Sequence, residues 1–283
     1  MRRTPASGWR GYGNISTSTP MASAQWQHDR QMTLRLYSDL AHLWPIISPP
    51  EEYMVEAQEW LDVIRGSLDA APTDRESLPT LLELGCGGGH LLSHLTAHFI
   101  TEAVDISPRM LEISRQLNPQ TLHHLGDMRD VCLGHAFDVV AIHDAINYMT
   151  TEDDLRAAIA TATVHLNPGG LLLLAPDCVQ ETFEGPRVVE WTKEAEDRSV
   201  TFIEYMGKPR PGSTTVESVF VFVIDEGGEL RVEVDRHTGG LFPTETWLSL
   251  LEEAGLEAEY IQTNAYEGGF GGNLFVGRKP PLP

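Results

Sequence analysis

From Leu78 onward, short apolar runs alternate with stretches of helical period. Thr80–Leu84, Thr101–Asp105, Phe137–Ile142 and Leu171–Ala175 are apolar-rich runs, continuous rather than alternating, as strands covered on both faces are. A further strand is expected at Thr121–Leu125. The helical stretches between them predict right-handed crossovers and a parallel sheet. Thr150 or Thr151 can cap a helix over Glu152–His165, with acids in its first turn complementing the dipole, and Asn167-Pro168-Gly169-Gly170 closes it.

Upstream, Gln31–Leu68 holds two short helical patterns broken by Pro45 and by Ser48-Pro49-Pro50, where fixed φ and missing amide donors stop a helix. In the second, Met54, Ala57, Leu61 and Ile64 share one face. Between Val188 and Val234 the runs VVEW, SVTFIEYM, TTVESVFVFVI and ELRVEV predict an antiparallel sheet inserted late, with turns at PRPG and DEGG. A helix Thr244–Ala254 and strands Glu257–Thr263 and Asn273–Gly277 follow. Residues 1–28 carry Arg2, Arg3 and Arg10, no acid and much Ser, Thr and Gly, which is the composition of a disordered tail. Its glycines and Pro20 argue against an amphipathic transit peptide, and initiation at Met21 is an alternative. The expected layout is a tail 1–28, a helical cap 29–75, and a core 76–283 carrying 178–240 as a β-rich acceptor lid.

With 41% apolar and 22% charged residues in 283, the balance is that of an ordinary globular protein. No apolar run is long enough to cross a bilayer, since LLLL at 171–174 meets Pro176 and Asp177. The net charge of -21 opposes nucleic acid and anionic membranes and suits a neutral or cationic small molecule. Three cysteines, Cys86, Cys132 and Cys178, fit no disulfide framework, which points to a cytoplasmic setting. Cys86 reads as a packing residue rather than a nucleophile. His90, His94 and His98 recur at i, i+4, i+8, but no acid or cysteine completes a metal site, and none is expected.

The densest chemistry lies at Glu83-Leu84-Gly85-Cys86-Gly87-Gly88-Gly89, a glycine turn between strand and helix that lets backbone approach a ligand. His90 occupies the place of the third glycine of a dinucleotide fingerprint, which argues against pyrophosphate. Asp105 closes the next strand 20 residues after Gly85, the distance at which an acid meets both ribose hydroxyls. Asp127 and Met128 follow the third strand, placed to meet an adenine ring. His143-Asp144-Ala145-Ile146-Asn147-Tyr148 leaves the fourth strand at the same edge. There His143 can shuttle a proton, Asp144 can hold a cationic amine, and Tyr148 can shield a sulfonium or hydrogen bond. His237 is a second candidate, reaching across the lid. The aromatic set Trp191, Phe202, Tyr205, Phe220 and Phe222 reads first as strand packing and second as a pocket lining.

LLELGCGGG, EAVDISPRMLEISR, HLGDMRD, FDVVAIHDAINYM and LNPGGLLLLAPD resemble the successive motifs of class I S-adenosylmethionine (SAM) dependent methyltransferases. Through EEYMVEA, GDMRDVCLG, PDCVQETFEG and GGNLFVG the chain is similar to the sugar N,N-dimethyltransferases of macrolide biosynthesis. That resemblance implies a Rossmann-like α/β sheet of order 3-2-1-4-5-7-6 with strand 7 antiparallel, SAM as methyl donor with S-adenosylhomocysteine as product, and amine methylation. It places Tyr53, Glu83, Gly85, Cys86, Gly87, Asp105, Ile106, Asp127, Met128 and His143 around the cofactor. Tyr148 occupies a place where those enzymes can carry a histidine near the acceptor. The family's arginine before the terminal strand is Gly272 here, which points away from a phosphorylated sugar nucleotide and toward a different small acceptor. The expected function is methylation of a small-molecule amine or hydroxyl by a monomer or homodimer. A noncatalytic SAM-binding module and a protein methyltransferase are the alternatives.

Overall fold

The computed structural model describes residues 34–68, 77–195, 197–265 and 271–282. The tail 1–28, the start at Met21 and the beginning of the cap lie outside the described residues. One mixed sheet forms the centre, from β1 (Thr80–Leu84), β2 (Ile100–Asp105), β3 (Leu122–Leu125), β4 (Phe137–Ile142), β5 (Leu166–Leu174), β10 (Glu257–Ala265) and β11 (Gly271–Arg278). Its order is β10-β11-β5-β4-β1-β2-β3, with β11 antiparallel to both neighbours. Numbered within the core alone, that is the expected 3-2-1-4-5-7-6.

The unbroken apolar runs follow from double burial. Leu82, Leu84, Val140, Ile142, Leu172 and Leu174 face α4 (Glu152–Val164) and α5 (Thr244–Glu253), packing with Leu155, Ile159, Trp247 and Phe275. Their neighbours Leu81, Val139, Ala141, Leu171 and Leu173 face α1 (Met54–Leu68) and α2 (His90–Leu95). Residues adjacent in a strand thus serve opposite layers, so neither face can be polar.

Capping at α4 agrees with the sequence: Thr151 Oγ1 accepts from Asp154 N at 3.1 Å above three first-turn acids. At the start of α3 (Pro108–Leu117) Ser107 Oγ accepts from Met110 N, a cap not singled out from the sequence. Asn167–Gly170, expected only to end α4, already belongs to β5, because Gly169 N donates to Lys279 O and Lys279 N to Gly170 O. Pro45 does not break a helix. It lies in the first turn of Trp44–Ile47, where an amide donor is not needed. On α1, Met54 is 60% exposed while Trp60 is buried beside Ala57, Leu61 and Ile64, so the buried stripe begins a turn later than expected.

A second, antiparallel sheet runs β6 (Arg187–Ala195), β7 (Arg198–Met206), β8 (Thr215–Glu226), β9 (Glu229–Gly240) in that order. The β8–β9 link is the two-residue turn Gly227-Gly228, both with positive φ, as a tight hairpin of right-twisted strands requires. Its inner face, Val200, Phe202, Phe222 and Ile224, is covered by Leu36, Leu40, Leu43 and Ile47. Residues 34–47 therefore form a strap on the small sheet while α1 packs on the large one. Of the aromatic set, Phe202 and Phe222 are core, Trp191 donates to Ile47 O at 2.9 Å, and Tyr205 is exposed.

Phe222→Ala removes a fully buried ring from this seam and is expected to cost about 3–5 kcal/mol. Denaturant unfolding measures this, and a loss below about 1 kcal/mol would mean that the strap does not pack there.

Candidate active site at the carboxyl edge of the sheet

The turn after β1 is built by backbone. Gly85 N and Cys86 N both donate to Val104 O, at 2.7 and 3.0 Å, pinning the loop to β2. Gly85 has φ +76°, and a Cβ there would collide with the Ala145 side chain and Met128 Cε. A Cβ at Gly87 would meet nothing within 4 Å, so the turn opens onto free space on that side. Asp105 Oδ2 accepts from Gly87 N at 2.8 Å and Oδ1 from Ser107 N at 2.7 Å. Burial nonetheless lifts its pKa to about 6.

Glu83 is 2% exposed and its Oε2 has no hydrogen-bond partner among the described residues. Burial pushes its pKa up to about 8, with His143 pulling the other way. A buried carboxylate oxygen without a hydrogen bond is costly and offers a place for a cation.

His143, at the end of β4, meets Glu56 of α1 through Nε2 at 2.8 Å and Asp144 Oδ1 at 3.2 Å, between the rings of Tyr53 and Trp60. Burial opposes its charge, but Asp144, Glu56 and Glu83 together raise its pKa to about 10. Its bonds to Glu56 and Asp144 make it a tie between α1 and the sheet edge. Tyr53 Oη pairs with Ser48 Oγ at 2.8 Å. Burial keeps Cys86 a thiol, as a packing role requires.

The single-turn helix Asp144–Tyr148 carries the remaining candidates. Asn147 Nδ2 donates to Asp177 Oδ2 at 2.6 Å. Burial raises the pKa of both Asp144 and Asp177; Asp177 adds to the rise at Asp144, whereas the hydrogen bond with Asp144 pulls Asp177 the other way. Glu204 on β7 joins them electrostatically, its pKa pushed to about 7 by burial and by Asp177. Tyr148 Oη lies 2.7 Å from Tyr37 Oη and 2.8 Å from His237 Nδ1. His237 is therefore joined to the sheet edge through Tyr148.

Asp127 differs from its expected setting. Arg129 forks onto both its oxygens and continues to Asp154 at the start of α4. The loop after β3 is braced by this cluster, while Met128 turns toward Gly85. His90 Nδ1 and His94 Nε2 bond the carbonyls of Ser48 and Pro50, at 2.6 and 2.7 Å. They staple the strap's end to α2, which accounts for the spacing that suggested a metal.

Glu83, the glycine turn, Ile106 beside Asp105, Met128, Tyr53, His143, Asp144 and Tyr148 thus gather at one edge, with His237 one bond behind. Sequence reasoning missed Glu56, Tyr37, Asp177, Glu204 and Asp235. Asp177 carried the same signal as Asp105, an acid just past a buried strand. Tyr37 carried none, since its partner Tyr148 lies 111 positions away, and Asp235 carried only its place two residues before His237, its tie to Leu36 N crossing 199 positions.

A family profile described as a methyltransferase domain matches residues 81–170. The chain is 33% identical over 230 residues to dTDP-3-amino-3,4,6-trideoxy-alpha-D-glucopyranose N,N-dimethyltransferase of Streptomyces venezuelae, covering 80% of this chain and 91% of that protein. The chain belongs to the sugar N,N-dimethyltransferase family of SAM-dependent methyltransferases. Among solved structures, Streptomyces venezuelae DesVI matches with a TM-score of 0.73 and 27% identity over 87% of this chain and 98% of its own. SAM-bound CalS10, an amino pentose methyltransferase from Micromonospora echinaspora, shares the fold with a TM-score of 0.68 and 24% identity, over 95% of this chain and all of its own.

Like its family, this methyltransferase takes SAM as methyl donor and methylates a small molecule. The residues fit the donor. The partnerless Glu83 oxygen offers a site for an ammonium, Asp105 offers carboxylate oxygens to ribose hydroxyls, and the Cβ-free turn leaves room for the chain between them. Among the described residues no helix is long and apolar enough to cross a membrane.

Asp105→Ala should weaken SAM binding by one or two charge-assisted hydrogen bonds, each worth roughly 1.5–3 kcal/mol, as calorimetry would read. Unchanged affinity would remove Asp105 from the donor site. A second expectation concerns pH. Because folding raises the Glu83 pKa from 4.5 to about 8, the folded state holds that proton more tightly. Stability is therefore full below about pH 4.5 and is lost as pH rises toward 8, by up to a few kcal/mol. Glu83→Gln should flatten the fall in unfolding midpoint between pH 5 and 8 in the SAM-free protein, and an unaltered slope would assign the loss elsewhere.

Proposed function

We propose that this chain methylates the amino group of a small sugar acceptor that carries no diphosphate, using SAM as donor. The supporting observation is the charge of the acceptor side. Asp144, Asp177 and Glu204 cluster there, their pKa values raised by burial. An ammonium among them favours their ionised form and is held by it, whereas a diphosphate would have to keep them protonated. Arg187 stands against Asp177 and Glu204 and is partly neutralised by them. Gly271 N donates to the Asp177 carbonyl, and Gly272 beside it brings no cation.

In this reading SAM supplies an activated methyl group, and the protein positions the nitrogen and excludes water. Tyr53, Glu83, Gly85, Cys86, Gly87, Asp105, Ile106 and Met128 hold the donor. Asp127 serves it indirectly, by bracing the loop that carries Met128. His143 contributes to both sides by anchoring α1 and Asp144. Tyr148 faces the acceptor, and His237 acts through it. The three free cysteines support a reducing, cytoplasmic setting, and the acidic balance favours a monomer or homodimer that leaves nucleic acid and anionic membranes alone.

The test compares two probes, dTDP-3-amino-3,4,6-trideoxy-alpha-D-glucopyranose and the methyl glycoside of the same amino sugar. Turnover of the glycoside at a higher kcat/KM than the nucleotide is expected. Asp177→Asn should raise KM for the glycoside about tenfold or more while sparing the Kd of SAM. A preference for the nucleotide would overturn the exclusion of diphosphate, and turnover of neither would remove the amino-sugar reading.

A further inference from the structure

We propose that Asp235 and His237, acting through Tyr148 and Tyr37, form the proton acceptor that strips the acceptor nitrogen between successive methyl transfers. The inference rests on the amine reading above and adds a route for the proton.

Four groups from three parts of the fold form one unbroken chain. Asp235 Oδ2 meets His237 Nε2 at 2.9 Å, His237 Nδ1 meets Tyr148 Oη at 2.8 Å, and Tyr148 Oη meets Tyr37 Oη at 2.7 Å. Asp235 and His237 are buried on β9, Tyr148 follows β4, and Tyr37 lies on the strap. Phe220 stacks on the His237 ring at 3.9 Å and holds its plane.

The donor order can be deduced link by link. Burial works against a charge on Asp235, but hydrogen bonds from His237, from Leu36 N at 2.9 Å and from Arg236 N hold its pKa below the usual range. An ionised carboxylate only accepts, so Nε2 of His237 carries hydrogen. In the neutral ring Nδ1 is then a lone pair, and Tyr148 must donate to it. Tyr148 oxygen is left to accept from Tyr37, whose own lone pairs end the chain. That end lies in the field of Asp144, Asp177 and Asp105, where acceptor and donor sides meet. The other titratable groups acting on Tyr148 are Asp177 and Glu204.

Transfer forms one N–C bond and breaks one S–C bond, with the electron pair going to sulfur. The nitrogen emerges cationic and must lose a proton before it can accept a second methyl group. That proton passes to Tyr37 Oη, the Tyr37 hydroxyl proton to Tyr148, and the Tyr148 hydroxyl proton to Nδ1 of His237. The imidazolium so formed sits against Asp235, in the manner of a histidine oriented by a buried aspartate. The wire runs in reverse when product leaves and solvent enters.

Two measurements on the full chain test this. In the S-adenosylhomocysteine complex, nitrogen-15 NMR at alkaline pH should find His237 as the Nε2–H tautomer, with Asp235→Asn losing that single preference. An Nδ1–H tautomer in the wild type would overturn the proposal, because Nδ1 could then accept nothing. With the amino-sugar glycoside as probe, Tyr148→Phe, His237→Gln and Asp235→Asn should slow the second methylation at least tenfold more than the first, accumulating monomethyl product, with the Kd of SAM kept within about twofold. Equal slowing of both steps, or none, would also overturn it. Tyr148→Phe leaves the Asp235–Leu36 tie intact and serves if Asp235→Asn does not fold. If the wild type methylates neither sugar probe, the amino-sugar reading has failed, and the tautomer still decides whether the wire exists.

Discussion

Carboxylates stripped of water at the end of a buried sheet are the constraint from which the rest of this structure follows. Glu83 and Asp105 end strands that are apolar on both faces, so their side chains emerge where the layers close over them. Without a cation each holds its proton well above the ordinary carboxylate range. The folded chain by itself is thus electrostatically incomplete, and a ligand bearing an ammonium, a sulfonium and two ribose hydroxyls offsets part of that cost. Binding and folding stability are linked here by the same desolvation.

The strap ties this edge to the small sheet. Its apolar side chains bury the inner face of the small sheet, which commits residues 34–47 to one path. Along that path the backbone does the tying. Leu36 N bonds Asp235, and the Tyr37 carbonyl accepts from Ser107 Oγ, which also caps α3 next to Asp105. Packing energy from the small sheet is thereby converted into placement of one phenol between the donor acids and the lid. His90 and His94 fasten the far end of the same segment to α2, so a shift of the strap would disturb the glycine turn and Tyr37 together.

What the sequence made legible was whatever depends on near neighbours. Double burial wrote itself into unbroken runs such as Phe137–Ile142, recovered residue for residue, and Thr151 and Gly255 marked helix ends correctly. The acids closing the strands were legible for the same reason, since position at the carboxyl edge follows from strand and turn alone. At Asp127 the sequence showed the acid but not its protein partner: Arg129, two residues on, reaches both its oxygens, a local pairing that strand spacing does not reveal. Met54 was misread because helical period defines a stripe without saying at which turn the partner layer begins. Tyr37, Glu56 and Asp235 were invisible, because nothing near them in the chain predicts a partner on another layer.

The distribution of acids also bears on the direction of catalysis. Methylation of a neutral amine moves a positive charge from sulfur to nitrogen without creating or destroying one. Groups placed evenly around both atoms would stabilise reactant and transition state alike and leave the barrier untouched. In the proposed reading the acids divide. Glu83 and Asp105 would serve the donor's polar ends, which change little in the step, whereas Asp144, Asp177 and Glu204 would lie on the acceptor side, where charge grows as the bond forms. Stabilisation would then increase along the reaction coordinate, which is the condition for preorganised charge to accelerate a step. The same asymmetry would leave a held ammonium at the end of the first transfer, so a chain adding a second methyl group needs a path that carries that proton away from the acids holding the cation. His237, hydrogen-bonded to Tyr148 and backed by Asp235, is the proposed end of such a path.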